Sequence, residues 1–172
     1  MTQIRPASVG DTQRLIECET TIWESLRETL PEAFVNSEIS WLHRPELAER
    51  RKDQLQSADT LVLVAEENSE LIGVAMGRVG EEGVSMLGFL GVRPKNREKG
   101  VATQLLDRFI EEARKRKAHK VWLYTAPNLQ AAIRLYIKAG FVPEGYLRNH
   151  SYGQDLIIYS KFLPSTPTHR HQ

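Results

Sequence analysis

The sequence is short of cysteine, of long apolar runs and of any excess of charge. Its 172 residues include one cysteine, Cys18, which cannot form an internal disulfide or a multi-cysteine metal site. A reducing compartment follows more easily than an oxidising one, so the expected location is cytoplasmic. The N-terminus, MTQIRPASVGDTQ, lacks the apolar core of a secretory signal. The longest strongly apolar stretch, VSMLGFLGV from Val84 to Val92, is too short to cross a bilayer, and no membrane partner is expected. Lys plus Arg number 23 against 22 Asp plus Glu, a formal charge of +1. Such a balance sets up no global basic field to draw in nucleic acid. The basic run Arg114-Lys115-Arg116-Lys117 is expected to be a solvated helix end. His169 and His171 have no companion ligands, and no metal is expected. There is no internal repeat and no low-complexity block.

What is present is ordinary for a folded chain: 41% apolar and 26% charged residues. The length fits one domain with a real core. We expect that domain over residues 1–163, with a disordered tail over 164–172. A short strand fits residues 2–6, and Asp11 or Ser8 can cap a helix through Leu15, Ile16 and Cys18. Two helical pieces fit near 23–30 and 45–57, punctuated by Pro31 and Pro45. From Thr60 the chain turns β-branched and apolar. Thr60–Ala65, Leu71–Val79 and Val84–Val92 read as an antiparallel meander, and Gly88 and Gly91 suggest a bulge or a close approach. Val101, Leu105, Phe109 or Ile110, and Ala113 mark the clearest helix of the chain. Lys120–Thr125 reads as a strand. A helix runs from Pro127-Asn128 through Leu135 and Tyr136 to Gly140, and two strands follow at 141–148 and 156–162. The expected class is α/β, a mixed, mostly antiparallel sheet flanked by helices.

The segment Val92 to Thr103 carries the chemistry. A strand delivers the chain to a basic loop, and the loop opens a strong helix. The first turn of a helix leaves N–H groups without partners and carries partial positive charge. Gly100 and Ala102 keep bulk away, so a phosphate can come close to the backbone. Thr103 offers a hydroxyl, and Arg93, Lys95, Arg97 and Lys99 offer charge. The physical reading is a pyrophosphate site. It is neither a Walker loop nor a three-glycine dinucleotide fingerprint. The bare pattern arises by chance about 0.2 times in a chain this long; its place between strand and helix raises it.

Arg97-Glu98-Lys99-Gly100-Val101-Ala102 resembles the acyl-CoA signature of the GNAT superfamily of N-acetyltransferases, [Gln/Arg]-x-x-Gly-x-[Gly/Ala] at a helix start. Asn128, Ala131, Leu135-Tyr136 and Gly140-Phe141 resemble the family's second signature, in the right order and spacing. The resemblance implies the GNAT fold and acetyl-CoA as cosubstrate. It implies that the strand before the loop splays from its neighbour and that Leu90 and Val92 pair with the pantetheine arm. It further implies that backbone N–H groups of Arg97, Glu98, Lys99, Gly100, Val101, Ala102 and Thr103 hold the pyrophosphate, with Asn128 on the cofactor arm. Tyr136 matches the family's proposed general acid, which protonates the departing thiolate. The N–H of Val92 is the candidate oxyanion donor.

One departure stands out. Many members carry a Glu in the strand before the loop, and Val84 to Leu90 has none. Glu81 and Glu82 lie at its far start, and the base stays open between a water chain, a Glu from the 23–38 region and Asp155. This absence mildly favours an α-amine acceptor, pKa about 8, over a Lys side chain at about 10.4. The acceptor is expected to be a protein or peptide N-terminus or a small amine, with Glu24, Glu28 and Glu32 as candidate acids for a cationic one. Trp23 and Trp41 fall where the family covers its acceptor cleft. The alternative reading is an acyl-CoA sensor module without turnover, and a homodimer stays open.

Overall fold

The computed structural model describes residues 1–80 and 82–164, so Glu81 and all of the expected tail except Pro164 lie outside the described residues. Seven strands form one sheet in the order β1-β2-β3-β4-β5-β7-β6. They are β1 (Gln3–Pro6), β2 (Thr60–Glu67), β3 (Glu70–Val79), β4 (Val84–Val92), β5 (Lys120–Thr125), β6 (Val142–Ser151) and β7 (Gln154–Phe162). Every neighbouring pair is antiparallel except β4 and β5. The helices are α1 (Thr12–Glu24), α2 (Glu32–Leu42), α3 (Leu47–Gln56), α4 (Val101–Lys115) and α5 (Gln130–Lys138). No helix among the described residues is long and apolar enough to cross a membrane.

The continuous apolar run of β2 has a simple cause: both faces of the sheet are covered. Leu61, Leu63 and Ala65 pack with Leu105, Leu106, Phe109 and Ala113 of α4, while Val62 and Val64 pack with Leu15, Cys18 and Ile22 of α1. Strands buried on both faces lose the alternation of a half-exposed sheet. The helical stripe of α4 is buried as expected, with Phe109 and Ile110 both facing the core. Cys18 is buried too, and burial pushes its thiol pKa up.

The α1–α3 region differs from the sequence-based expectation. Residues 23–30 are not a helix of their own. Trp23 and Glu24 end α1, turns follow, and a separate helix, α2, starts after Pro31. The β-branched and aromatic composition of EAFVNSEISWL hid it, since such residues lose side-chain freedom in a helix. Tertiary contacts supply what propensity does not. Val35 is fully buried beside Leu30 and Ala126, and Phe34 and Trp23 pack against that cluster. The second piece is α3, at Leu47–Gln56, close to the expected span.

Ser8 and Asp11 both work at the start of α1. The buried Asp11 carboxylate accepts the Ser8 N–H at 2.8 Å and the guanidiniums of Arg5 and Arg14 at 2.8 and 2.9 Å. Arg5 and Arg14 also reach Glu66 on β2 at 2.7 Å, so one ionic network ties β1, α1 and β2. The hydrogen bond from Arg5 holds the Asp11 carboxyl well below the usual carboxylate range. A carboxyl bound more tightly to protons when unfolded contributes stability above the unfolded pKa of about 3.9, and that contribution disappears as pH falls through and below it. Asp11→Asn is expected to cost about 2 kcal/mol near neutral pH. Urea unfolding should show the gap between mutant and wild type closing in acid.

Candidate active site

The sheet opens where β4 meets β5. The two strands pair in parallel only at Val84, Ser85 and Met86, opposite Lys120, Val121 and Trp122. Beyond Met86 they separate, while β4 stays paired with β3 as far as Val92. Gly88 is the extra residue of a bulge, since Met76 faces Phe89 and Gly77 faces Leu87. Gly91 serves a different purpose. A Cβ there would lie 2.8 Å from Cγ2 of Ile22, so its bareness lets α1 sit directly on β4. Arg93 donates its N–H to the Ile72 carbonyl at 2.8 Å. Strand alternation then turns the backbone groups of Val92 and Leu90 toward the gap. The Val92 carbonyl accepts from Nε of Arg97 at 3.0 Å, leaving its N–H as the polar group offered there.

The loop after β4 forms a cradle of amides. Among the described residues, no hydrogen bond engages the backbone N–H of Glu98, Lys99, Gly100, Val101, Ala102 or Thr103. Six consecutive free donors at a helix N-terminus fit an anion of diphosphate size. Gly100 has φ +78° and Glu98 φ +61°, which places the backbone of both in the left-handed region. The basic side chains contribute less than their number suggests. Arg93 and Lys95 are both paired with Glu70, at 3.0 and 2.9 Å. Arg97 binds Oγ of Ser25 at 2.6 Å as well as Val92. The loop is thereby fastened to the end of α1, and the free charge rests on Lys99.

A cleft of about 690 Å³ lies alongside the opened strands. Leu87, Gly88, Phe89 and Leu90 of β4 line it, with Tyr124 and Thr125 of β5 and Tyr136 of α5. Tyr136 is 6% exposed, held between Phe141 and Tyr159 at ring separations of 5.9 and 6.5 Å. Burial pushes its pKa up to about 12. The Gly140-Phe141 pair explains itself here. Gly140, φ +86°, ends α5 with Phe141 N–H bonded back to the Tyr136 carbonyl at 3.0 Å, and the Phe141 ring is buried against Tyr136. Asn128 is tied to a neighbouring turn by its amide nitrogen. It is exposed before α5 and donates its side-chain N–H to the Thr29 carbonyl, bridging to the α1–α2 turn.

The far wall of the cleft comes from α1, α2 and α3. Trp23 and Trp41 both line it and also pack against the core clusters behind it, so the two roles left open from sequence coincide. Phe89, Trp23, Phe34 and Tyr152 form a chain of ring contacts at 5.8, 5.8 and 6.5 Å, and the Tyr152 hydroxyl, at the β6–β7 turn, reaches Oγ of Ser37 at 2.9 Å. The 23–38 region does supply an acid to it, Glu38, but the individual acids considered for a cationic acceptor do not line it, and neither does Asp155. Glu24, Glu28 and Glu32 are exposed, and Glu24 pairs with Arg27. Asp155 accepts hydrogen bonds from Tyr146 and Asn149 outside the cleft. The carboxylates lining it are Glu19 and Glu38, with Asp53 and Asp59 at the rim. Glu38 is half-buried with no cation within 4 Å among the described residues, and burial raises its pKa. Its charge also raises the pKa of Tyr124 and of Glu19. Sequence reading missed Glu38 as an individual because α2 itself was not foreseen.

The family model described as "Acetyltransferase (GNAT) family" matches residues 22–141, and the chain belongs to that family. It is an acetyl-CoA-dependent acetyltransferase. The fold is similar to the PaiA N-acetyltransferase of Thermoplasma acidophilum, whose structure contains coenzyme A. That match has a TM-score of 0.79 and 22% identity, covering 95% of this chain and 99% of that one. It is similar to the ribosomal-protein-S18-alanine N-acetyltransferase of Escherichia coli, at 0.74 and 20% over the full length of both chains. It is also similar to a ribosomal-protein-alanine N-acetyltransferase of Brucella melitensis, at 0.65 and 28%, covering 94% of this chain and 99% of that one. None of the curated proteins matches in sequence.

The amide cradle depends on the left-handed turn at Gly100, a conformation that a β-branched residue avoids. Gly100→Val is expected to weaken coenzyme A binding at least tenfold with the far-ultraviolet circular dichroism unchanged, as read by titration calorimetry.

Proposed function

We propose that the chain transfers an acetyl group from acetyl-CoA to the nitrogen of a primary amine by direct attack, with Tyr136 as general acid. The observation that supports this is that Tyr136 of α5 lines the same cleft as Leu87, Gly88, Phe89 and Leu90, the stretch of β4 beyond its pairing with β5. Acetyl-CoA supplies the electrophilic thioester, and its sulfur leaves as a thiol.

The residues of this chain then divide the work. The free amides from Glu98 to Thr103, with the turn at Arg97, hold the diphosphate. The backbone edge of Leu90 and Val92 takes the pantetheine arm as a strand would take a neighbour. Asn128 keeps its Oδ1 for that arm while its N–H stays on Thr29. The Val92 N–H stabilises negative charge on the acetyl oxygen. Glu38 receives a proton from the acceptor's ammonium, which frees the neutral amine to attack, and its raised pKa makes it a stronger base than an ordinary carboxylate.

Tyr136 does not work by a downhill proton transfer. A phenol at pKa about 10 is already a weaker acid than a thiol at about 8.5, and burial widens the difference. With Tyr136 at about 12, a completed transfer to a free thiolate runs uphill by about 5 kcal/mol. Its hydroxyl acts earlier, hydrogen-bonding the sulfur as charge builds and giving up the proton in step with C–S cleavage. The proton is restored from solvent through the cleft.

The acceptor is a protein or peptide N-terminus or a small amine, and an α-amine demands less of the base than a Lys side chain. Two of the similar structures are named for ribosomal-protein alanine, which supports an α-amine. The reading as a sensor without turnover rested on the missing acid in β4, and Glu38 in the cleft removes that support.

Tyr136→Phe is expected to bind coenzyme A as wild type does and to lose at least 90% of kcat in a thiol-release assay (a loss of about 1.4 kcal/mol or more). Wild-type turnover would sink the acid role. For Glu38, the rate should fall on the acid side with an apparent pKa above the usual carboxylate value, because the protonated carboxyl accepts nothing. Glu38→Gln should abolish that limb and lower kcat/KM; a retained limb would move the base elsewhere.

A further inference from the structure

We infer that the face of α2 bearing Phe34, Glu38 and Trp41 is the stripe that recognises the acceptor, and that it selects an amine with a single positive charge and, a short alkyl chain away, an aromatic ring. This deepens the acetyl-transfer reading and rests on it.

Glu38 follows Phe34 by four positions and precedes Trp41 by three, so the three share one face of α2, with neighbouring Cβ atoms about 5–6 Å apart. All three line the cleft and all three are half-buried, whereas Val35 and Leu42 on the adjoining face are buried in the core. The stripe is therefore turned to the open space. Its carboxylate has no cation partner among the described residues. The other acids of the cleft are already satisfied. Glu19 is paired with Arg51 at 3.0 Å, and Asp53 and Asp59 are exposed to water at the rim. A half-buried carboxylate without a partner is costly to keep charged, and a bound ammonium relieves that cost.

The rings on either side of Glu38 specify the rest of the guest. Phe34 meets Trp23 and Tyr152 at steep angles, 70° and 71°, and remains half-buried. Tyr124 of β5 lines the same cleft and is 43% exposed. Partly bare rings of this kind are covered best by another ring, which adds edge or offset contacts to the area it buries. A ring one helical turn from the carboxylate fits an ammonium and an aromatic group joined by a few carbons. Other guests fit less well. A second ammonium finds no second unpaired acid inside the wall, and Trp41 already has the Arg51 guanidinium 6.0 Å from its ring centroid. A free amino acid brings its own carboxylate toward Glu38. A short alkylamine satisfies the charge and leaves the rings bare.

The test sets benzylamine, phenethylamine and phenylpropylamine against butylamine, diaminobutane, diaminohexane and phenylalanine. Titration calorimetry into coenzyme A-loaded protein reads binding, and thiol release with acetyl-CoA reads transfer. The best of the ring amines is expected to bind at least tenfold more tightly than any of the other four. Phenylalaninamide carries the ring and nitrogen of phenethylamine at the same spacing, so the tighter of those two tells a peptide N-terminus from a free amine. Phe34→Leu should cut the preference for the ring amine over butylamine to threefold or less, and Glu38→Gln should weaken every amine in the series. Equal binding across the wild-type series, or a preference for a diamine or for phenylalanine, overturns the inference, and that comparison needs no variant to fold. Selective binding of the ring amine without thiol release would leave the stripe standing and sink the acetyl-transfer reading instead.

Discussion

The parting of β4 from β5 is the constraint on which the site depends. Three residue pairs hold the strands parallel, and after Met86 and Trp122 the chain offers a strand edge with no partner. A free edge inside a sheet is costly unless something occupies it. Two local features lie along the opened stretch. The bulge at Gly88 bends β4, and the bare face of Gly91 lets α1 press upon it. On one side of the opening stands the loop of unpaired amides. On the other stands Tyr136, wedged between two aromatic rings. The amide loop and Tyr136 thus face one opening, set by where one strand pair stops.

Much of this was legible in the sequence, and the parts that were share a cause. The anion loop, α4 and the Gly140 cap depend on short-range rules: helix ends, a period of 3.6 and left-handed turns. The meander was visible because β2 and β3 are almost wholly apolar, although that same uniformity concealed which face met which helix. What was not legible depends on contacts far apart in the chain. Helix α2 has weak propensity and exists through the burial of Val35 and the packing of Phe34. Glu38 becomes a cleft residue only once α2 is placed. Arg93, Lys95 and Arg97 read as free charge, and only the fold shows Glu70 and Ser25 claiming them.

The two halves of the cleft obey different physics. The loop-and-strand half is backbone: amides of a loop and the edge of a strand, groups that most side-chain changes leave in place. The facing half is side chain: a row of aromatic rings, a half-buried carboxylate and a buried Glu19–Arg51 pair. Ionised groups inside an apolar wall are costly to desolvate, and such a pair adds little net stability.

The contact between Tyr152 and Ser37 spans 115 positions of sequence, and that between Asn128 and Thr29 spans 99. The far wall of the cleft is therefore a seam joining the earliest and latest thirds of the chain. Variation at the hairpin tip or in α2 can reshape the guest's berth while the amide loop stays as it is. A family could diversify its clientele by editing only that seam.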